Sequence, residues 1–141
     1  MGTFNRNTSR IERLGLGMPW EETHGYSQAF RVGDEIRISG QMPHDEAGEL
    51  VGLGDPEAQA AAVFANLDRV LKGCGAARPQ VVETKIYAVD LARNFTAISQ
   101  AHREFFAGHW PASSAFGVVE LVLPGQLYEV CATVRTDLPR G

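Results

Sequence analysis

The sequence predicts an α+β domain, one mixed sheet with two helices on one face, in the order ββαβαββ. Three observations carry that prediction. Two short alternating runs flank the turn pair Gly33-Asp34, and two more flank Pro124-Gly125. Between these pairs, two stretches repeat apolar residues at helical spacing. A single β-type run separates the two helical stretches, and strands joined through a helix pair in parallel with the helices on one side.

The hairpin comes first. Tyr26 to Val32 and Glu35 to Met42 are the strands, and Ile36 and Ile38 alternate with Arg37 and Ser39. A loop through Pro43, Gly48, Gly52 and Gly54 leads to Asp55-Pro56-Glu57. That triplet opens a helix with an N-cap aspartate, a proline at the first helical position and an acid in the first turn. Val63, Phe64, Leu67, Val70 and Leu71 form its apolar stripe, and Gly73 or Gly75 ends it. Val81 to Val89 reads as a strand. A second helix is expected from Asn94 to about Gly108, with Phe95, Ile98, Phe105 and Phe106 inward. The last two strands are placed near Ala115 to Leu123 and Leu127 to Thr136. Residues 1–24 lack clean periodicity and read as a lead-in to a single domain over 25–141.

Large apolar side chains occupy both parities of these strands. Val82 and Ile86 point one way and Tyr87 and Val89 the other, while the neighbours Val118 and Val119 must oppose each other. A sheet apolar on both faces with helices for only one requires a second copy or partner on its bare side.

Composition narrows the class. The 141 residues suit one domain, and 44% apolar with 21% charged residues is ordinary for a folded chain. The net charge of −4 and the scatter of the basic residues speak against binding a phosphate backbone. No stretch reaches the length of a membrane span, and residues 1–19 lack the apolar core of a secretory signal. Cys74 and Cys131 have no paired spacing and read as buried thiols, so a cytoplasmic setting is expected.

Few residues announce chemistry. The four histidines, His24, His44, His102 and His109, are too dispersed for a metal site. His102 falls on the apolar face of the second helix, where a satisfied interior imidazole is the plainer reading and a catalytic base the sharper one. In the last strand Tyr128, Val130, Ala132 and Val134 alternate with Glu129, Cys131, Thr133 and Arg135. Glu129 thus sits on the less apolar face, the one expected to meet another subunit. A carboxylate there needs a partner or its pKa rises, so a structural ion pair and a catalytic group both fit. The segment His109-Trp110-Pro111-Ala112-Ser113-Ser114 joins a helix to a strand, a common place for ligand contacts. Its serines could donate to an anion or simply close a turn.

Several stretches, in order, resemble the reactive-intermediate deaminase (Rid, or YjgF) family. They are Gly25-Tyr26-Ser27-Gln28-Ala29, Ile38-Ser39-Gly40-Gln41-Met42-Pro43, Gly48-Glu49, Gln59 and Asn66-Leu67. Val82-Glu83-Thr84-Lys85, Val89-Asp90-Leu91, Phe95, Phe105-Phe106, Pro111-Ala112, Leu123-Pro124 and Glu129 to Ala132 follow. The resemblance covers about Gly25 to Leu138. It implies a chorismate-mutase-like fold and a homotrimer whose three inter-subunit clefts bind a small-molecule metabolite, without metal or organic cofactor. Archetypal members hydrolyse 2-imino or enamino acids to 2-oxo acids and ammonium.

Carried over residue by residue, the resemblance gives Glu129 as the catalytic group that positions water. It gives Tyr26, Ser39 and Gly40 as substrate-binding residues, with Ser99 where the family has an asparagine. The carboxylate-gripping arginine after Pro-Ala is here Ser113, and a common cysteine two places on is Ala115. Trp110, Ser113 and Ser114 complete the candidate substrate-binding set. A lost guanidinium–carboxylate contact weakens binding of an imino acid by roughly 10- to 150-fold unless Arg37, Arg103 or Arg135 replaces it. Three readings follow: a deaminase-like hydrolase of a small imine, enamine or related carbonyl compound; a metabolite-binding trimer without chemistry; and, ranked last on charge, an RNA-cleaving or translation-inhibiting protein.

Overall fold

The computed structural model describes residues 11–141. The order is β1 (Ile11–Leu14), α1 (Pro19–His24), β2 (Ala29–Val32), β3 (Glu35–Gln41), α2 (Pro56–Gly73), β4 (Val81–Val89), α3 (Leu91–Phe106), β5 (Ala112–Val118) and β6 (Tyr128–Arg135), with a short 3₁₀ turn at Arg78–Gln80. The six strands form one sheet in the order β1-β2-β3-β6-β4-β5. β4 and β5, joined through α3, are parallel, and β6 lies antiparallel between β3 and β4. The expected α+β class, mixed sheet and one-sided packing of α2 and α3 all hold.

Local chemistry explains the elements that agree. The Asp55 carboxylate accepts from the Ala58 N–H at 3.1 Å and Pro56 follows it, so α2 starts where the triplet indicates. Val63, Phe64, Leu67, Val70 and Leu71 are all buried under β3 and β6. Each such side chain, withdrawn from water, contributes about 1.5–3 kcal/mol. On the sheet, Ile36, Ile38, Val130, Ala132, Val134, Thr84, Ile86 and Ala88 face these helices.

Several expectations are corrected. The lead-in contributes structure: β1 pairs with β2, and α1 follows; residues 1–10 lie outside the described residues. α3 starts at Leu91, not Asn94, because its N-cap Asp90 is in the left-handed region (φ 49°) and makes no side-chain cap bond, so the usual start signal is missing. Asn94 takes the inward place assigned to Phe95, which is 43% exposed. β5 starts at Ala112 and ends at Val118, so Ser113 and Ser114 are strand residues rather than loop residues. The parity reading is also amended at Val82: the register shifts between Val81 and Glu83, which places Val81 in the core and leaves Val82 half-buried.

The face of the sheet away from α2 and α3 is open in the single chain. Ile11, Phe30 and Val32 stand exposed on one flank. Tyr87 and Phe116 stack on the other with ring centroids 5.5 Å apart. Between them Arg37, Thr133, Cys131, Lys85 and Glu83 line a shallow basin of about 430 Å³. Cys131 is only half-buried there, unlike Cys74, whose thiol burial pushes up to about 12. Among the described residues no helix is long and apolar enough to cross a membrane.

Candidate functional site

Glu129 lies on β6 with its side chain on the open face, as strand parity requires. Its carboxylate meets β3 where the β3–β6 register shifts between Ile38 and Gln41. Gly40 stands at that shift. A Cβ on Gly40 would lie 2.5 Å from both Cδ and Oε2 of Glu129, so only glycine lets the carboxylate fold down against the strand. Burial pushes the Glu129 carboxyl above its ordinary value, and the Gln126 side chain pulls it partway back.

Around it is a pocket of about 400 Å³, lined by Trp20, His24, Tyr26, Ser39, Gly40, Met42, Val122, Leu123 and Glu129. Four of the site residues read from the sequence, Tyr26, Ser39, Gly40 and Glu129, therefore meet in one place. The Ser39 hydroxyl donates to the Ser27 carbonyl at 2.6 Å, so its lone pairs are what remain for a ligand. Burial, reinforced by the negative charges of Glu21 and Glu129 and opposed by a hydrogen bond with Gln28, raises the Tyr26 phenol above its usual value. Tyr26 thus enters the pocket as a neutral donor or acceptor.

Buried polar side chains hold this geometry. Gln41 donates to the side chain of Gln28 at 2.9 Å, and Gln28 donates to Glu21 at 3.1 Å. Glu21 in turn accepts from the backbone of Leu16 and Met18, fixing α1 against the hairpin. Trp20, on α1, packs over the Gly48 turn, where φ is +84° and an added Cβ would meet the indole at 2.6 Å. From α2, Asn66 donates to the carbonyls of Met42 and His44. Gln59 donates to those of Gly52 and Gly125 and accepts from the Leu127 N–H at 2.8 Å. One helix so ties down both loops that border the pocket. Gln59→Leu leaves these buried backbone groups unpaired, and urea unfolding is expected to show a loss of about 2 kcal/mol.

The remaining predicted residues lie elsewhere. Ser99, Ser113 and Ser114 share a second pocket of about 240 Å³ between α3 and β5, with Ile86, Phe95, His102 and Ala115. Beneath it the Thr84 hydroxyl is 2.8 Å from His102 Nε2 and 2.8 Å from the Ser113 hydroxyl. The His102 ring contacts Phe64 and Phe106, and burial lowers its pKa, which favours the satisfied interior imidazole over the catalytic base. Trp110 belongs to neither pocket: it is 63% exposed and its ring lies 5.3 Å from the Arg103 guanidinium. The other two arginines named as replacements are also engaged, Arg37 with Glu35 at 3.1 Å and Arg135 with Asp137 at 3.0 Å. No arginine lines either pocket among the described residues.

Sequence reasoning missed Trp20, His24, Met42, Val122 and Leu123 as pocket walls. Trp20 and His24 lie on the aperiodic lead-in, and Val122 and Leu123 beyond the end of β5, so neither pair carried a pattern pointing inward.

The described residues match known proteins over this same span. The family model described as endoribonuclease L-PSP matches residues 19–136, from the first residue of α1 to just past β6. The chain belongs to the Rid/YjgF family. A RutC family protein of Pyrococcus abyssi is 37% identical over 97 residues, 68% of this chain and 75% of that one. The human 2-iminobutanoate/2-iminopropanoate deaminase is 33% identical over 97 residues, 68% of this chain and 69% of that one. Among solved structures, Rv2704 of Mycobacterium tuberculosis, a member of the YjgF/YER057c/UK114 family, superposes with a TM-score of 0.78 at 26% identity. That match covers 89% of this chain and 98% of that one. As a Rid/YjgF protein, the chain keeps the Tyr26, Ser39, Gly40 and Glu129 positions of the resemblance in one pocket and carries Ser113 on a strand beside another.

Proposed function

We propose that this protein is a hydrolytic deaminase-like enzyme acting on a small imine, enamine or related carbonyl metabolite, in clefts between the subunits of a homotrimer. The observation that carries the reading is the convergence of Tyr26, Ser39 and Gly40 on a carboxylate, Glu129, held at the wall of a small pocket. Relatives named as 2-iminobutanoate/2-iminopropanoate deaminases support the reaction class. The exposed apolar flanks of the open sheet face, Ile11, Phe30, Val32 and Phe116, support burial against sibling chains. In such a homotrimer the Glu129 pocket of one subunit and the serine pocket at the β5 edge of the next would share one cleft.

The chemistry asks little of the protein. Water adds to the imine carbon, giving up a proton to the Glu129 carboxylate as the C–O bond forms and the C=N π electrons move to nitrogen. The same carboxyl returns that proton to nitrogen, giving the neutral carbinolamine. As the C–N bond then breaks, the carbinol O–H proton passes through the carboxylate to the departing nitrogen, so the carbonyl closes and ammonia leaves. Positioning and modest general acid–base help supply the rate.

The test is ammonium release from a panel of freshly generated imines, 2-aminoacrylate and uncharged analogues included, with protein against buffer. At least one is expected to be hydrolysed faster, with 2-aminoacrylate a poor substrate for want of the arginine. Buffer-level rates across the panel would sink the enzyme reading. A binding trimer without chemistry is the second reading, favoured by Ser113 and by the lack, among the described residues, of an arginine lining either pocket. Cleavage of RNA fits poorly with a net charge of −4 and a carboxylate in the pocket.

A further inference from the structure

We propose that the pocket between α3 and β5 recognises an uncharged carbonyl group, that of an amide, ester or ketone, in place of a carboxylate. This rests on the reading that the pocket opens into the same cleft as Glu129, and it names the substrate class of that cleft.

The argument starts from the direction of the hydrogen bonds. Thr84 is fully buried, so its hydroxyl has only its two side-chain neighbours to bond. We assign its one proton to the Ser113 oxygen, 2.8 Å away. The Thr84 oxygen then accepts from His102 Nε2 at 2.8 Å, in the tautomer that carries the ring proton on that nitrogen. Ser113, having accepted from Thr84, keeps its own proton. Because Ser113 stands exposed on the edge strand, that proton turns outward to the pocket. The chain His102 to Thr84 to Ser113 therefore ends in a donor, and whatever binds there must present an acceptor.

Charge decides which acceptor. Ser99 and Ser114 add hydroxyls beside Ser113, while Ile86, Phe95 and Ala115 make the rest of the wall apolar. The imidazole, packed against Phe64 and Phe106, is held neutral by burial. A carboxylate entering such a pocket gives up its hydration with no cation to receive it. A carbonyl oxygen loses far less and is fully satisfied by hydroxyl donors. The volume of about 240 Å³ suits a group of a few heavy atoms.

Pyruvamide and pyruvate, nearly the same size and differing in charge, make the test. Full-length protein labelled with ¹⁵N is titrated with each while the amide signals of Ser99, Ser113 and Ser114 are followed. Pyruvamide is expected to move those signals and to bind roughly tenfold more tightly than pyruvate. Ser113→Arg should reverse the order, and Ser113→Ala, which removes the outward hydroxyl together with the acceptor of the Thr84 proton, should weaken pyruvamide roughly 3- to 10-fold. Pyruvate binding as tightly through the same signals, or pyruvamide leaving them unmoved, overturns the proposal. Failure of this proposal is distinct from failure of the enzyme reading. A pyruvate preference with Glu129-dependent turnover intact defeats only the recognition of an uncharged group, whereas a pyruvamide preference without turnover of any imine defeats only the catalysis.

Discussion

Glu129→Gln is expected to cut hydrolysis of the best imine substrate by about 10²- to 10⁴-fold, the usual range for removing a general acid–base group. The amide keeps the shape and some of the hydrogen bonding of the carboxyl but cannot take a proton from water. Steady-state ammonium release, measured beside a binding titration, separates loss of chemistry from loss of affinity: the rate should collapse while affinity changes little. The pH profile adds a second readout. Because burial raises the Glu129 carboxyl, the carboxylate needed to accept the proton is lost at a higher pH than for an ordinary glutamate. The acid limb of the wild-type profile should lie correspondingly high, and any residual activity of Glu129→Gln should lack it. Stability follows the opposite sense. A carboxyl raised in the folded state costs stability above its unfolded value, and this cost disappears as pH falls below that value. Glu129→Gln should therefore melt above the wild type at neutral pH, with the gap closing in acid. Equal turnover of the two proteins would remove Glu129 from the mechanism.

Gly40→Ala is expected to lose about 100-fold in turnover while the protein stays folded, because an ångström-scale displacement of a catalytic group is enough for that. The new methyl group would overlap Cγ, Cδ and Oε2 of Glu129, and the side chain is the part able to yield. It swings off the β3 surface and away from the position where Ser39 and Tyr26 face it. Circular dichroism and a melting curve should show a loss of about 1–3 kcal/mol at most, the ordinary cost of overpacking. Wild-type turnover in this variant would mean that the close approach of β3 and Glu129 is incidental.

The comparison of these two residues shows what a sequence conveys. The facing of Glu129 followed from alternation alone, because Tyr128, Val130, Ala132 and Val134 are buried and β6 is paired on both sides, so period two holds along its length. α2 was equally legible, with its cap, proline and apolar stripe in agreement. Gly40, Ser39 and Tyr26 came from the resemblance, since a glycine that accommodates a side chain from another strand has no local signature. β5 was misplaced because an edge strand of Ala, Ser, Ser, Ala, Phe, Gly and Val is mostly exposed and shows no alternation to read. α3 lost its first turn to the left-handed Asp90, and its phase at Phe95 was misread because a polar residue, Asn94, is buried there. That burial has its own reason: the Asn94 amide donates to the Val89 carbonyl at 2.6 Å and its backbone carbonyl accepts from the Tyr128 hydroxyl. Such satisfied polar interiors are invisible to any hydrophobic pattern.

The position of β6 has a consequence for how the molecule is made. During vectorial synthesis β3 and β4 are complete before β6 emerges, yet they are not neighbours; the slot between them is two inter-strand spacings wide, roughly 10 Å. Until the final strand zips into that slot, the half-built sheet carries two inner edges open to wrong pairing and to chaperones. The same insertion delivers Glu129, so its carboxylate cannot join the pocket wall before the sheet is complete.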